Sequence, residues 1–415
     1  MPEEKKLPLR TAFAVSVSRT AAALSRATGR GDGSVIGGRL GLMIDPDLLA
    51  HLAEGRQIAL VSGTNGKTTT TRFTAAALGA LGDVATNSFG ANMPTGHTSA
   101  LARAGATRYA VLEVDEHYLA QVIEATQPRV VALLNLSRDQ LDRAKEVAMM
   151  ADLWRQALAT HPKIHVVANA DDPMVVYAAG AHPAGEITWF SAGQRWQDDS
   201  HVCPACGGRI ERSGGGGWAC AAGDLRRPQP QWTLAGGEVV DPQGLAHEVK
   251  LQLPGTVNLG NAATALAVAA HFGVSPQDAI PRLGSVSSVA GRYAQVERDG
   301  RLVRLLLAKN PASWLEAFEM ADVAPTLLSI NARDPDGLDT SWLYDVDFSP
   351  LRGRQVLVTG DRAMDLAVRL EINGVPFTHV RAFGDAIAAV PHGRLEVIAN
   401  YTAFQDIRAE LDRVL

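Results

Sequence analysis

A chain of 415 residues is longer than one ordinary hydrophobic core supports, and it predicts two or three domains. Hydrophobic residues at 46% and charged residues at 20% match soluble globular proteins, and a net charge of −5 excludes a bulk electrostatic pull toward nucleic acid. No apolar run approaches the ~20 residues of a membrane-spanning helix, and the three cysteines argue against a secreted disulfide scaffold, so a cytoplasmic location is expected.

From the N-terminus, residues 1–26 are basic and alanine-rich with apolar positions at helical spacing. They predict an amphipathic first helix rather than a secretory leader, and residues 1–50 read as a helical or extended lead-in. From about 57 to 190, apolar strands alternate with helical stretches. The strands are QIALVS from Gln57, YAVLEV from Tyr109, VVALL from Val130 and HVVA from His165. Such alternation predicts an α/β fold with a central, parallel, doubly wound sheet buried on both faces. Residues 193–237 break the pattern with all the cysteines, a glycine run and RRPQP, and read as an insertion with its own small fold. LGNAATALAVAAHFG is a helix, and residues 51–292 form the central domain. PRLGSVSSVAGR connects to a second, C-terminal α/β domain over 293–415. That domain opens with two strands around Asp299-Gly300, a hairpin turn signal, and continues through TLLSI, QVLVTG, FTHVRAFG and LEVIANY.

Gly63-Thr64-Asn65-Gly66-Lys67-Thr68-Thr69 lies between the first predicted strand and a helix, where a phosphate loop must lie. The glycines let backbone N–H groups turn around phosphates, Lys67 reaches the outer phosphates, and Thr68 supplies a magnesium ligand. The usual pattern has a glycine five residues before Gly66, and Val61 stands there instead. Glu113 ends a predicted buried strand at the carboxyl edge, where a carboxylate can hold magnesium. Asp115 and Glu116, just beyond, read as solvated. Asp139 and Asp142 follow the next strand and either orient water or substrate or cap a helix. Cys203-Pro-Ala-Cys206 has the spacing of a zinc knuckle, with Cys220 at the distance of a second.

In order along the chain, these strings resemble the Mur ligase superfamily. Asn87-Ser88-Phe89-Gly90-Ala91-Asn92-Met93, Glu113-Val114-Asp115-Glu116, Asn135 to Arg143, and Asp336-Gly337-Leu338-Asp339-Thr340-Ser341-Trp342 narrow the likeness to the MurT family, from about residue 8 to the end. The resemblance implies an ATP-dependent carbon–nitrogen ligase, with Lys67 and Glu113 catalytic and Thr68 and Glu113 on Mg2+. Asn258 and Asn261 would lie beside the adenine, or cap a helix, and Arg292 after Gly291 would lie at an interdomain hinge or on the surface. Gln140 stands where amino-acid-adding relatives carry a metal-binding histidine, which puts a second metal site in doubt. The family's ribbon has four cysteines; here Gly223 replaces the fourth. Zn2+ on Cys203, Cys206 and Cys220, completed by His201, Asp224 or water, and a metal-free relic both remain open. A GatD-like glutaminase is the implied partner, borrowing an aspartate: Asp339, with Asp336 and Asp345 as alternatives. Trp342 and Tyr344 suit that interface or a core. The implied reaction amidates the α-carboxyl of D-isoglutamate on lipid II with ammonia. An amino-acid-adding ligase and a non-catalytic nucleotide-binding scaffold are the competing readings.

Overall fold

The computed structural model describes residues 8–28, 33–87, 90–138, 146–193, 196–287, 293–321 and 323–412. Packing separates the chain into two compact units. Met1–Leu136, Val147–Gln252 and Thr256–Val286 make the first; Ser137–Glu146, Leu253–Gly255 and Ser287–Leu415 make the second.

The first unit starts with helices α1 (Leu9–Ala27), α2 (Ser34–Ile44) and α3 (Leu48–Ala53). Strands and helices then alternate as β1 (Gln57–Ser62), α4 (Lys67–Leu78), β2 (Val84–Thr86), α5 (Pro94–Ala104), β3 (Tyr109–Val114), α6 (Leu119–Thr126), β4 (Val130–Leu133), α7 (Glu146–Ala159), β5 (His165–Asn169), α8 (Pro173–Ala179) and β6 (Ile187–Phe190). The strands pair in parallel in the order β2-β3-β1-β4-β5-β6. The expected parallel α/β sheet is therefore present. Strands β1, β3 and β4 are buried almost throughout, as their uninterrupted apolar sequences require. Strand order reverses at β1, so its carboxyl end opens into the crevice where such sheets bind ligands. Neither β2, whose three residues are too few to show a period, nor β6 is among the strands read from the sequence.

Helices α1 and α3 contribute Ala14, Val15, Leu48, Leu49 and Leu52 to the same core as Ile58, Leu60, Leu101 and Leu112. Helix α2 fits against α1 and α5 because it presents glycines. A Cβ on Gly37 would lie 2.7 Å from the Ser18 carbonyl oxygen, and one on Gly38 only 1.7 Å from that of Thr95.

After β6 comes an antiparallel hairpin of β7 (Ile210–Arg212) and β8 (Trp218–Cys220). A meander of β9 (Thr233–Ala235), β10 (Glu238–Val240) and β11 (Ala246–His247) follows. The hairpin is rooted on the β5–α8 turn. Trp218 Nε1 donates to the Ala170 carbonyl (3.0 Å), and Arg227 pairs with Asp171 (2.7 Å). Cys203, Ile210, Trp218 and Cys220 pack with Val176 of α8. Helices α9 (Thr256–Ala270) and α10 (Pro276–Leu283) then return against α4.

The second unit contains β12 (Tyr293–Arg298), β13 (Arg301–Leu307), α11 (Pro311–Met320), β14 (Thr326–Ser329), β15 (Val356–Thr359), α12 (Ala363–Ile372), β16 (Phe377–His379), α13 (Phe383–Ala389), β17 (Gly393–Ala399) and α14 (Tyr401–Asp412). Its sheet order is β12-β13-β17-β14-β15-β16, parallel except for the β12–β13 hairpin. Asp299 and Gly300 form the hairpin turn with positive φ of 49° and 71°, as a two-residue turn between twisted strands demands. One core of this unit holds Trp314, Phe318, Trp342 and Phe348; another holds Phe383, Phe404 and Ile407.

Gly38→Ala is expected to lower the unfolding free energy by about 1–3 kcal/mol, since backbone must move to admit the methyl group. Gly185→Ala, where a Cβ meets open space, is expected to change it by less than about 0.5 kcal/mol. Urea denaturation followed by circular dichroism checks both.

Candidate functional site

The ends of three adjacent strands build the site. Ser62 closes β1, and its Oγ donates to the Val114 carbonyl at the end of β3 (2.9 Å). The loop then passes close to the end of β4. A Cβ on Gly63 would come within 2.8 Å of Leu134 Cβ, and one on Gly66 within 2.8 Å of Asn261 Oδ1. Gly66 also has φ of 82°, which favours glycine where the loop turns into α4. Asn135 clamps the loop from β4. Its Oδ1 accepts the Asn65 N–H (2.9 Å), its Nδ2 donates to the Asn65 carbonyl (3.1 Å), and its own carbonyl accepts Thr64 N–H (2.9 Å). One amide thus pairs with a loop backbone as a neighbouring strand would. Helix α4 has no side-chain cap, so its N-terminus suits an anion.

Lys67 is buried at the start of α4. Its Nζ donates to the Gly63 carbonyl and to that of Thr64 (3.3 Å), and pairs with Glu116 Oε2 (2.8 Å). This corrects the reading of Glu116 as solvated: its side chain is 11% exposed. A short turn after β3 brings it back to the loop, and Trp154 Nε1 holds its carbonyl (3.0 Å). Asp115 stays nearer the surface, accepting the His117 N–H (3.1 Å).

Glu113 lies opposite Val61 in the sheet, is 1% exposed, and has a buried Oε1 with no hydrogen-bond partner among the described residues. Its backbone is fixed from the chain before α5. Asn87 accepts the Glu113 N–H (2.8 Å) and donates to its carbonyl (2.8 Å), and His97 Nε2 donates to that carbonyl (2.7 Å). Burial lowers the His97 pKa to about 4, so the imidazole is neutral, with its proton on Nε2. Sequence reasoning assigned no role to His97 or to the Asn87 side chain, because their contacts are to backbone across the fold. A buried carboxylate oxygen without a partner is costly. Carboxylate oxygen is the kind of donor that magnesium takes.

Asn258 and Asn261 both lie within α9, Asn258 in its first turn. Asn261 Nδ2 donates to Asn258 Oδ1 (3.2 Å), and Asn261 Oδ1 accepts Thr70 Oγ1 (3.1 Å). The pair is therefore held beside the phosphate loop. Asp139, Gln140, Asp142, Gly291 and Arg292 lie outside the described residues.

The sulfurs of Cys203, Cys206 and Cys220 lie within 4.8 Å of one another, with Cys206 and Cys220 3.4 Å apart. Burial raises the Cys203 thiol pKa. The Ala222 N–H, with further help from Gly223, lowers that of Cys220. The N–H groups of Ala205 and Cys206 serve Cys203 in the same way, so two backbone knuckles turn toward the sulfurs. A Cβ on Gly223 would lie 3.3 Å from Cys206 Sγ and 3.7 Å from Cys220 Sγ. The cluster offers three of the four ligands of a closed zinc site, and position 223 faces it directly.

In the second unit, Asp336 is consumed locally, accepting the Thr402 N–H (2.8 Å) and hydroxyl. Asp345 pairs with Arg138 (3.3 Å). Asp339 is exposed; the Ser341 hydroxyl and then its N–H (2.8 Å) hold its carboxyl below the usual range. Exposed Leu338 and Tyr344 flank it in sequence, whereas Trp342 is in the core against Trp314.

A model of the Mur ligase middle domain matches residues 61–269, and one of the MurT ligase C-terminal domain matches 307–404. The chain is similar to the lipid II isoglutaminyl synthase (glutamine-hydrolyzing) subunit MurT of Streptococcus pneumoniae, at 29% identity covering 91% of this chain and 92% of that protein. It is 30% identical to the subunit of the same name from Staphylococcus aureus, covering 96% and 97%. A pseudomurein peptide ligase type C from Methanothermus fervidus shares the fold, with a TM-score of 0.65 at 16% identity over 87% of this chain and 79% of that one.

Gly223→Cys is expected to retain about one zinc ion per chain through dialysis against a mild chelator, and wild type to lose it, because a fourth thiolate closes the tetrahedron. Elemental analysis of both proteins decides this; equal zinc content would show that position 223 does not govern the cluster.

Proposed function

The chain belongs to the MurT family of Mur ligases, and from that premise we propose that it is the ATP-dependent ligase subunit that amidates the α-carboxyl of D-isoglutamate in the stem peptide of lipid II. The observation that carries this reading is an intact phosphate loop, with Lys67 at its helix, in a chain similar almost end to end to MurT subunits. The acceptor carboxylate takes the γ-phosphoryl group of ATP and becomes an acyl phosphate, releasing ADP. Ammonia then attacks the carbonyl carbon, phosphate leaves, and the carboxamide forms. Little covalent chemistry falls to the protein, so positioning and charge neutralisation lower the barrier.

In this reading Gly63, Thr64, Asn65 and Gly66 present backbone to the phosphates, and Lys67 offsets their charge. Thr69 extends the same helix turn. Thr68 and Glu113 hold magnesium, which when bound neutralises phosphate oxygens. Asn258 and Asn261 border the adenine.

Ammonia requires a second chain. All three cysteines of this chain lie in one ribbon cluster, which leaves none for the nucleophile of a glutaminase. The partner is a GatD-like glutaminase whose catalytic histidine is oriented by Asp339, the aspartate that its own surroundings leave exposed. Among the described residues no helix is long and apolar enough to cross a membrane. The enzyme works in the cytoplasm, at the inner membrane face where lipid II presents its stem. The cysteine ribbon is structural, its three thiols either holding a zinc ion with a fourth ligand or keeping the ribbon's shape without metal. The match to the MurT C-terminal domain favours this reading over an amino-acid-adding ligase.

The test combines the chain with a glutaminase subunit, ATP, magnesium, glutamine and lipid II, and reads muropeptides by mass spectrometry. A loss of about one mass unit that needs both chains is expected, as for a carboxyl converted to a carboxamide. Lys67→Ala is expected to reduce product by roughly 10³-fold or more. Asp339→Ala is expected to abolish amidation driven by glutamine and to spare amidation driven by ammonium chloride. Equal loss with both nitrogen sources would remove Asp339 from the glutaminase step.

A further inference from the structure

Glu116 has no part in the chemistry above, yet it holds the lysine on which that chemistry depends. Its Oε2 lies 2.8 Å from Lys67 Nζ, with side chains only 11% and 4% exposed. The carboxylate is delivered by an anchored turn: the Glu116 carbonyl accepts Nε1 of Trp154, itself fully buried (3.0 Å). The other acceptors of Lys67, the carbonyls of Gly63 and Thr64, belong to the loop itself. We propose, resting on the nucleotide reading, that Glu116 is the internal counterion of Lys67 in the nucleotide-free enzyme and makes phosphate binding depend on magnesium.

When one partner of a buried ion pair is withdrawn, the charge left behind is uncompensated. A polyphosphate that takes Lys67 leaves Glu116 as such a charge, beside newly arrived anions. Glu113, at the end of β3 and three residues before Glu116, is a second carboxylate, with a buried oxygen that has no partner among the described residues. Free nucleotide therefore meets one ammonium already neutralised and a further carboxylate, so the exchange is unfavourable. The magnesium complex brings two positive charges that offset both carboxylates. Glu116 thus discriminates the magnesium–nucleotide complex from free nucleotide. It acts through Lys67, so it is a positioning residue.

The experiment measures equilibrium binding of ATP to the full-length chain by calorimetry, with excess magnesium and with EDTA, for wild type, Glu116→Gln and Glu116→Asp. Glu116→Gln is expected to bind magnesium-free ATP about tenfold tighter than wild type, with a change of less than about threefold for the magnesium complex. Glu116→Asp keeps the charge and is expected to keep the wild-type gap between the two conditions. Unchanged or weaker magnesium-free binding by Glu116→Gln, at an unchanged melting temperature, overturns the counterion role. Wild type binding free ATP as tightly as its magnesium complex overturns it without any variant. Wild type binding neither form overturns the nucleotide reading itself.

Discussion

The site depends on one constraint: β1 lies between β3 and β4, with both edges paired and both faces covered. A strand so enclosed cannot shift its end, and the loop that leaves it inherits that rigidity. Ser62 ties it to β3, and Asn135 ties the next residues to β4. The glycines then serve a definite purpose, since a side chain at Gly63 or Gly66 would collide with Leu134 or Asn261. Rigid backbone around an anion site is what positioning catalysis requires.

Charge is arranged around that rigid loop with little solvent. Lys67 and Glu113 are buried and the Glu116 side chain is only 11% exposed; among the described residues Lys67 and Glu116 answer each other directly. The remaining carboxylate is held in place through its backbone by Asn87 and a neutral His97. Such a site is electrostatically incomplete without a cation. The incompleteness is local, because the chain as a whole carries only a small net charge.

The cysteine ribbon and the second unit follow different rules. The ribbon has too small a core to stand alone, so Trp218 and Arg227 root it on the β5–α8 turn. Its three thiols lie together, with backbone N–H groups turned toward Cys203 and Cys220. In the second unit, the partner each aspartate meets decides which are available. Asp336 and Asp345 have partners that hold them in the fold, while Asp339 is kept outward by Ser341.

Much of this was legible in the residues. Apolar strands ending in glycine, the Lys-Thr pair opening a helix, the knuckle spacing and the Asp299-Gly300 turn are local features, since each depends on near neighbours along the chain. The strand β2 was too short to register, and Trp342 could be read as interface or core because burial is not a property of one side chain. What only the tertiary structure decided was pairing between distant residues. Glu116 finds Lys67 across 49 positions, and Asn135 finds Asn65 across 70. Sequence determined that a phosphate loop would stand at the end of a buried strand. Closing the sheet decided which carboxylate would face its lysine and which would be left without a partner, because that closure alone sets the distances between side chains and takes them out of water.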